Sequence, residues 1–179
     1  MNSNQAKKRN PLSYSIWLIP EGEIYIKLNK IIIDLAKNYT NIEFTPHFTL
    51  LGGFIGELDQ LNIKSKNLSK NISPFDLVFD ELSFLNEFFR FLFLIIITDN
   101  QLKNARLLAT KEFGFSDSDY LPHLSLAYGN FSKAIIEEMN LYASEKLKGI
   151  DGFCVDSIYL AHNDEINYKW NIIECYRLS

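Results

Sequence analysis

Apolar and polar residues alternate along "YSIWLIP" (Tyr14–Pro20) until proline stops the run, which predicts a first β-strand. In "EIYIKLNKIIIDLAKNY" the positions Ile24, Leu28, Ile31, Ile32 and Leu35 fall three and four apart, the spacing of an amphipathic helix. "PHFTLLGGF" reads as a second strand closed by a Gly-Gly break, and the polar segment Glu57–Lys70 as helix or loop. The apolar runs "FDLVFDELSFL" and "FFRFLFLIIITD", joined at Asn86 and Glu87, predict an antiparallel hairpin of buried strands. Helical spacing returns over Asn100–Phe113, with Leu102, Ala105, Leu108 and Ala109 on one side. A strand "PHLSLAYG" follows, then a helix that Ser132 is placed to cap and that turns Ile135, Met139 and Tyr142 inward. "FCVDSIYLAH" and "KWNIIECYRL" read as two last strands around the turn "NDEIN". Hairpins outnumber crossovers, so the pattern predicts an α+β fold with antiparallel sheets.

Composition narrows this only a little. The chain has 179 residues, 47% hydrophobic and 22% charged, which suits one compact domain over residues 14–179 behind a polar tail at 1–13. Net charge is -4, and the short "KKR" at Lys7–Arg9 sits in that tail, so no basic face for long nucleic acid is expected. The N-terminus lacks the apolar segment of a secretory signal, and "FFRFLFLIII" is too short to span a membrane and carries Arg90. A cytoplasmic monomer is therefore expected, with Cys154 and Cys175 as reduced core thiols, because they show no CxxC spacing.

Candidate chemistry comes from two strands that share a pattern. "TPHFTL" and "LPHLSL" each carry proline, histidine, an apolar residue, a small hydroxyl residue and leucine. Successive strand side chains point to opposite faces, so His47 and Thr49 share one face while Phe48 and Leu50 anchor the other. The same arithmetic pairs His123 with Ser125 and sends Leu124 and Leu126 inward. One such pair is ordinarily a satisfied polar contact, but two full matches among three histidines arise by chance on the order of 10⁻⁶ of the time. His162 has no hydroxyl at that spacing and reads as surface.

Two imidazoles, each with an ordinary pKa of roughly 6.5, can act as base and acid in one reaction. Phosphodiester hydrolysis needs both, together with donors for the non-bridging oxygens, and Thr49 and Ser125 suit that part. Which histidine takes the proton is left open by the near-symmetry of the motifs. Zinc is disfavoured, since no cysteine or carboxylate stands at ligand spacing. "LGGFIGE" lacks the Lys-Ser/Thr ending of a phosphate loop, and its glycines are read as allowing a tight turn.

On these residues the chain resembles the two-histidine phosphoesterase superfamily, defined by two HxT/S motifs, and within it the plant and yeast cyclic phosphodiesterases. "YSIWLIP", "FTPHFTLLG", "FFRFLFLIIIT", "YLPHLSLAYG" and a last strand with Trp170 follow in that family's order, from Tyr14 to Leu178. The resemblance implies two lobes, each an antiparallel sheet with outer helices, around a central cleft. It also implies metal-independent hydrolysis, with no cofactor, of a small cyclic phosphate: a nucleoside 2′,3′-cyclic phosphate or ADP-ribose 1″,2″-cyclic phosphate. His47 and His123 would be the acid/base pair, Thr49 and Ser125 the phosphate-binding hydroxyls, Tyr128 a further phosphate contact and Trp17 a cleft-lining aromatic. Strict alternation sends Tyr128 to the opposite face, so it reaches the phosphate only if the strand bends or ends near Gly129, and a core position suits Trp17 equally. The cysteines do not match the disulfide positions of the plant enzymes. Alternatives are a 2′,5′-phosphodiesterase or RNA-end-processing enzyme, and a non-catalytic cyclic-phosphate-binding module. Glu57–Lys70 and Ser116–Asp119 are candidate lids.

Overall fold

A computed structural model describes residues 12–115 and 120–179; the "KKR" run and the candidate lid at Ser116–Asp119 lie outside the described residues. The described residues form eight strands and four α-helices. The strands are β1 (Leu12–Leu18), β2 (Phe48–Phe54), β3 (Phe75–Phe84), β4 (Leu92–Ile96), β5 (His123–Ala127), β6 (Gly152–Val155), β7 (Ser157–Asp164) and β8 (Lys169–Arg177). The helices are α1 (Gly22–Leu35), continued by a π-helical turn to Thr40, α2 (Leu58–Ser69), α3 (Asn100–Phe113) and α4 (Lys133–Lys146).

The fold class is α+β and every strand pairing is antiparallel. The expected two separate sheets are instead one eight-stranded order, β6-β3-β4-β5-β2-β1-β7-β8. Its two four-stranded halves meet at β5 and β2 through a single partner pair, Phe48 with Leu124. Helices bind the halves further: α1 follows β1 yet packs on β5 and α4, while α3 follows β4 yet packs on β2 and α2.

Local sequence accounts for the elements. Leu28, Ile31, Ile32 and Leu35 bury the inner stripe of α1 as their spacing predicts. Asp99 caps α3 by accepting from the Leu102 N–H at 2.8 Å, and Gly114 closes it in the left-handed conformation. On β3, Phe75, Leu77 and Phe79 turn inward while Asp76, Val78 and Asp80 are exposed, so this strand is buried on one face only. Phe48, Leu50, Leu124 and Leu126 are fully buried, and cutting Phe48 back to alanine would cost about 3–5 kcal/mol.

Of the two readings of the polar segment Glu57–Lys70, the helix holds, as α2 over Leu58–Ser69. Other expectations change. Ser132 stands at the N-cap of α4 but its side chain makes no capping hydrogen bond. The aromatic run begins with a 3₁₀ turn at Phe88–Arg90, so β4 starts only at Leu92. "FCVDSIYLAH" is two strands that part at Asp156, β6 pairing with β3 at one edge and β7 with β1 in the other half. Cys154 and Cys175 are free, but they are exposed on the edge strands β6 and β8, not core thiols. No helix among the described residues is long and apolar enough to cross a membrane.

Candidate active site

The one pair joining the halves decides where the motifs meet. In antiparallel register about Phe48 and Leu124, His47 falls opposite Ser125 and Thr49 opposite His123. Both central residues are fully buried on the core side, so all four polar side chains leave the other face together. The arrangement is a local two-fold: each imidazole stands across from the hydroxyl of the other motif.

Both rings are held alike. His47 Nδ1 lies 2.7 Å from the Thr45 carbonyl, and His123 Nδ1 lies 2.7 Å from the Leu121 carbonyl. A carbonyl only accepts, so each Nδ1 carries the hydrogen and donates it, and the basic lone pair of each neutral ring lies on Nε2. Pro46 and Pro122 fix the backbone between each carbonyl and its histidine.

The supporting aromatics break the symmetry. Trp17, opposite Thr49 on β1, stacks flat on His47 with ring centroids 3.6 Å apart and planes 13° apart. Phe93, at the equivalent place opposite Ser125 on β4, meets His123 edge-on at 5.2 Å. His47 is 8% exposed, and burial pushes its pKa from 6.5 down to about 4. The Thr45 carbonyl opposes that shift and the charge of His123 adds to it, so the two rings feel each other. His47 is thus neutral at neutral pH, with its Nε2 lone pair open. His123 is half-buried.

Tyr128 returns to the site despite the alternation. β5 ends at Ala127, and Gly129 takes φ +151°, where an added Cβ would lie 2.2 Å from the Phe131 ring. The turned Tyr128 places its hydroxyl where the Ser125 side chain acts on it, and stacks on Phe44 at 4.2 Å. Burial pushes its pKa far above the usual phenol range, so it stays an O–H donor. Thr49 is placed by a close approach: a Cβ on Gly52 would come within 3.0 Å of the Thr49 methyl and 3.5 Å of Ser15 Oγ. This glycine is needed for space, whereas Gly53, at φ +87°, is the extra residue of a bulge between the pairs Tyr14–Phe54 and Ser15–Gly52, so β2 runs on through the glycines instead of closing or turning there as expected. Trp17, 1% exposed, is a core tryptophan that also touches a catalytic candidate.

Sequence reasoning missed Phe44, Phe93, and the buried polar trio Ser13, Ser15 and Asn163 beside Thr49, in which the Asn163 amide donates to both serine hydroxyls. A signal for Phe44 was available, since an aromatic residue precedes each motif histidine by three, Phe44 and Tyr120. His162 is half-buried edge-on against Tyr14 at 5.2 Å, apart from the pair. Among the described residues no group of three or more His, Cys, Asp or Glu is arranged to hold a metal ion.

Known proteins are similar to this chain in sequence and in fold. Residues 34–167 match the family described as the 2′-5′ RNA ligase superfamily. A protein of Arabidopsis thaliana named cyclic phosphodiesterase is 26% identical over 139 residues, 77% of this chain and 75% of that one. Among solved structures, Escherichia coli LigT complexed with 3′-AMP superposes with a TM-score of 0.61 at 12% identity, covering 95% of this chain and 99% of that chain. TT0787 of Thermus thermophilus gives 0.57 at 13% identity, covering 93% and 97%.

Proposed function

Since the chain belongs to the 2′-5′ RNA ligase superfamily, we propose that it is a phosphodiesterase that hydrolyses a ribose cyclic phosphate by proton transfer between His47 and His123. The substrate is a nucleoside 2′,3′-cyclic phosphate or ADP-ribose 1″,2″-cyclic phosphate, and the reaction needs no metal. One observation carries the reading: two histidines with Nδ1 tethered to carbonyls, set crosswise against Thr49 and Ser125 on a shared face. The name of the Arabidopsis thaliana relative supports the substrate class.

Water attacks phosphorus and loses its proton to the Nε2 of one ring. The bond from phosphorus to one ribose oxygen breaks, and the Nε2–H of the other ring protonates that oxygen. Thr49, Ser125 and Tyr128 donate to the non-bridging oxygens, where negative charge grows. Breaking the bond to O3′ yields a nucleoside 2′-phosphate, and the ADP-ribose derivative yields the 1″-phosphate.

Turnover of a nucleoside 2′,3′-cyclic phosphate in EDTA, by wild type and by His47→Ala and His123→Ala, tests the proposal. Each substitution should lower kcat by at least about 10²-fold. Full activity in either variant would remove the acid/base assignment, and activity lost in EDTA but restored by metal would remove metal independence. The family description points to 2′-5′ linkages, so a 2′,5′-linked adenylate trimer belongs in the same assay. Preferred cleavage of the trimer would replace the cyclic-phosphate reading, while tight binding without turnover of either would leave a binding module.

A further inference from the structure

Beside the histidines lies a cavity of about 440 Å³, between α1, the loop before β2 and the start of β8. Its walls belong partly to the site already described. Thr45, whose carbonyl holds His47, lines it, and so does Phe44, which stacks on Tyr128 and meets His47 edge-on at 6.4 Å. Trp170 forms another wall, 5.6 Å from Tyr128 and packed with the Trp17 cluster. The turn before β8 is braced by Asp164, whose carboxylate accepts from the backbone N–H groups of Ile166 and Asn167 and from the Asn167 amide. Trp170 is therefore presented by an ordered hairpin.

The remaining lining has a definite chemistry. Asn29 on α1 and Asn171 on β8 supply carboxamides that both donate and accept. Glu43 supplies a carboxylate, and Lys169 on the same cavity offsets its charge. With one charge of each sign, the cavity offers no net attraction for a second phosphate. Flat aromatic walls with amides and a carboxylate suit a heteroaromatic ring whose edge carries hydrogen-bond donors.

We propose that this cavity is the nucleobase subsite of the cleft, that Phe44 and Trp170 provide its aromatic walls, and that Glu43 selects guanine. Guanine presents N1–H and the 2-amino group side by side, the donor pair that one carboxylate accepts together. Its O6 and N7 acceptors match the carboxamide donors. The inference rests on the cyclic-phosphate reading above and narrows its substrate to guanosine derivatives.

The test compares guanosine, adenosine and cytidine 2′,3′-cyclic phosphates with the base-free 1-O-methylribose 2,3-cyclic phosphate, using wild type, Glu43→Gln and Asn29→Ala. For wild type, KM should be about 10-fold lower for guanosine than for cytidine at similar kcat. In Glu43→Gln, kcat/KM for guanosine relative to the base-free substrate should fall by about the same factor. Equal KM for guanosine and base-free substrates, or an unchanged ratio in Glu43→Gln, would overturn the subsite. If wild type turns over none of these, the proposed function fails while the subsite stays testable through binding of guanosine 2′-phosphate, read by tryptophan fluorescence. Weaker binding by Glu43→Gln then supports the subsite, and equal binding overturns it.

Discussion

Acidification should destabilise this protein through His47 by an amount that the structure sets. Burial lowers the pKa of His47 from 6.5 to about 4, so between those values the unfolded chain binds a proton that the folded chain refuses. Stability contributed by the neutral, buried ring is complete above the ordinary histidine value and is lost as pH falls towards 4. A gap of about 2.5 units at about 1.4 kcal/mol each gives a loss of about 3 kcal/mol between about pH 7 and pH 4. Other groups titrate in that range, so the comparison must be with His47→Asn. The asparagine amide takes the place of Nδ1 and can still donate to the Thr45 carbonyl, but it does not titrate. Urea unfolding of both proteins across the range should show wild type losing about 3 kcal/mol more than the variant. Parallel curves, or an NMR titration of the His47 ring centred near its ordinary value, would refute the account of its burial.

Three further outcomes follow from particular contacts. Tyr128→Phe keeps the stack on Phe44 and removes the hydroxyl beside Ser125; circular dichroism should show an intact fold while kcat falls by roughly 10²-fold. Gly52→Ala places a methyl within 3.0 Å of the Thr49 methyl, so kcat/KM should drop by about 10-fold with Tm shifted by only a few degrees; unchanged kinetics would show that Thr49 yields freely. Cys154 and Cys175 are free and exposed on edge strands, so a thiol reagent should label both in the native protein; partial burial and the Asp76 and Asp156 carboxylates hold the Cys154 thiol above its ordinary pKa, so it should react more slowly than in urea, and complete protection of both would restore the core-thiol reading.

Period-two alternation is a property of neighbouring residues, and it was enough to put His47 with Thr49 and His123 with Ser125, each backed by apolar residues that prove fully buried. Helix α3 was legible to its ends because Asp99 and Gly114 cap it locally. The readings that failed depended on partners distant in the chain. "FCVDSIYLAH" looks like one strand, but β3 claims one part and β1 the other. Cys154 and Cys175 stand among apolar residues, yet only the strand order reveals that their strands are edges. Alternation alone sends Tyr128 to the opposite face, and the condition for its return, a strand that ends near Gly129, is met because β5 stops at Ala127.

The sequence by itself determined the chemical set: two imidazoles and two hydroxyls, paired on strands that hold them outward. It could not say that the pairs would cross. That followed from one antiparallel contact between Phe48 and Leu124, made between residues far apart in the chain. Nor could it show that Trp17 would lie flat on His47 while Phe93 met His123 only by its edge. That difference, which leaves His47 buried and His123 half-buried in two nearly identical motifs, arises from packing, and packing exists only once the strands are brought together.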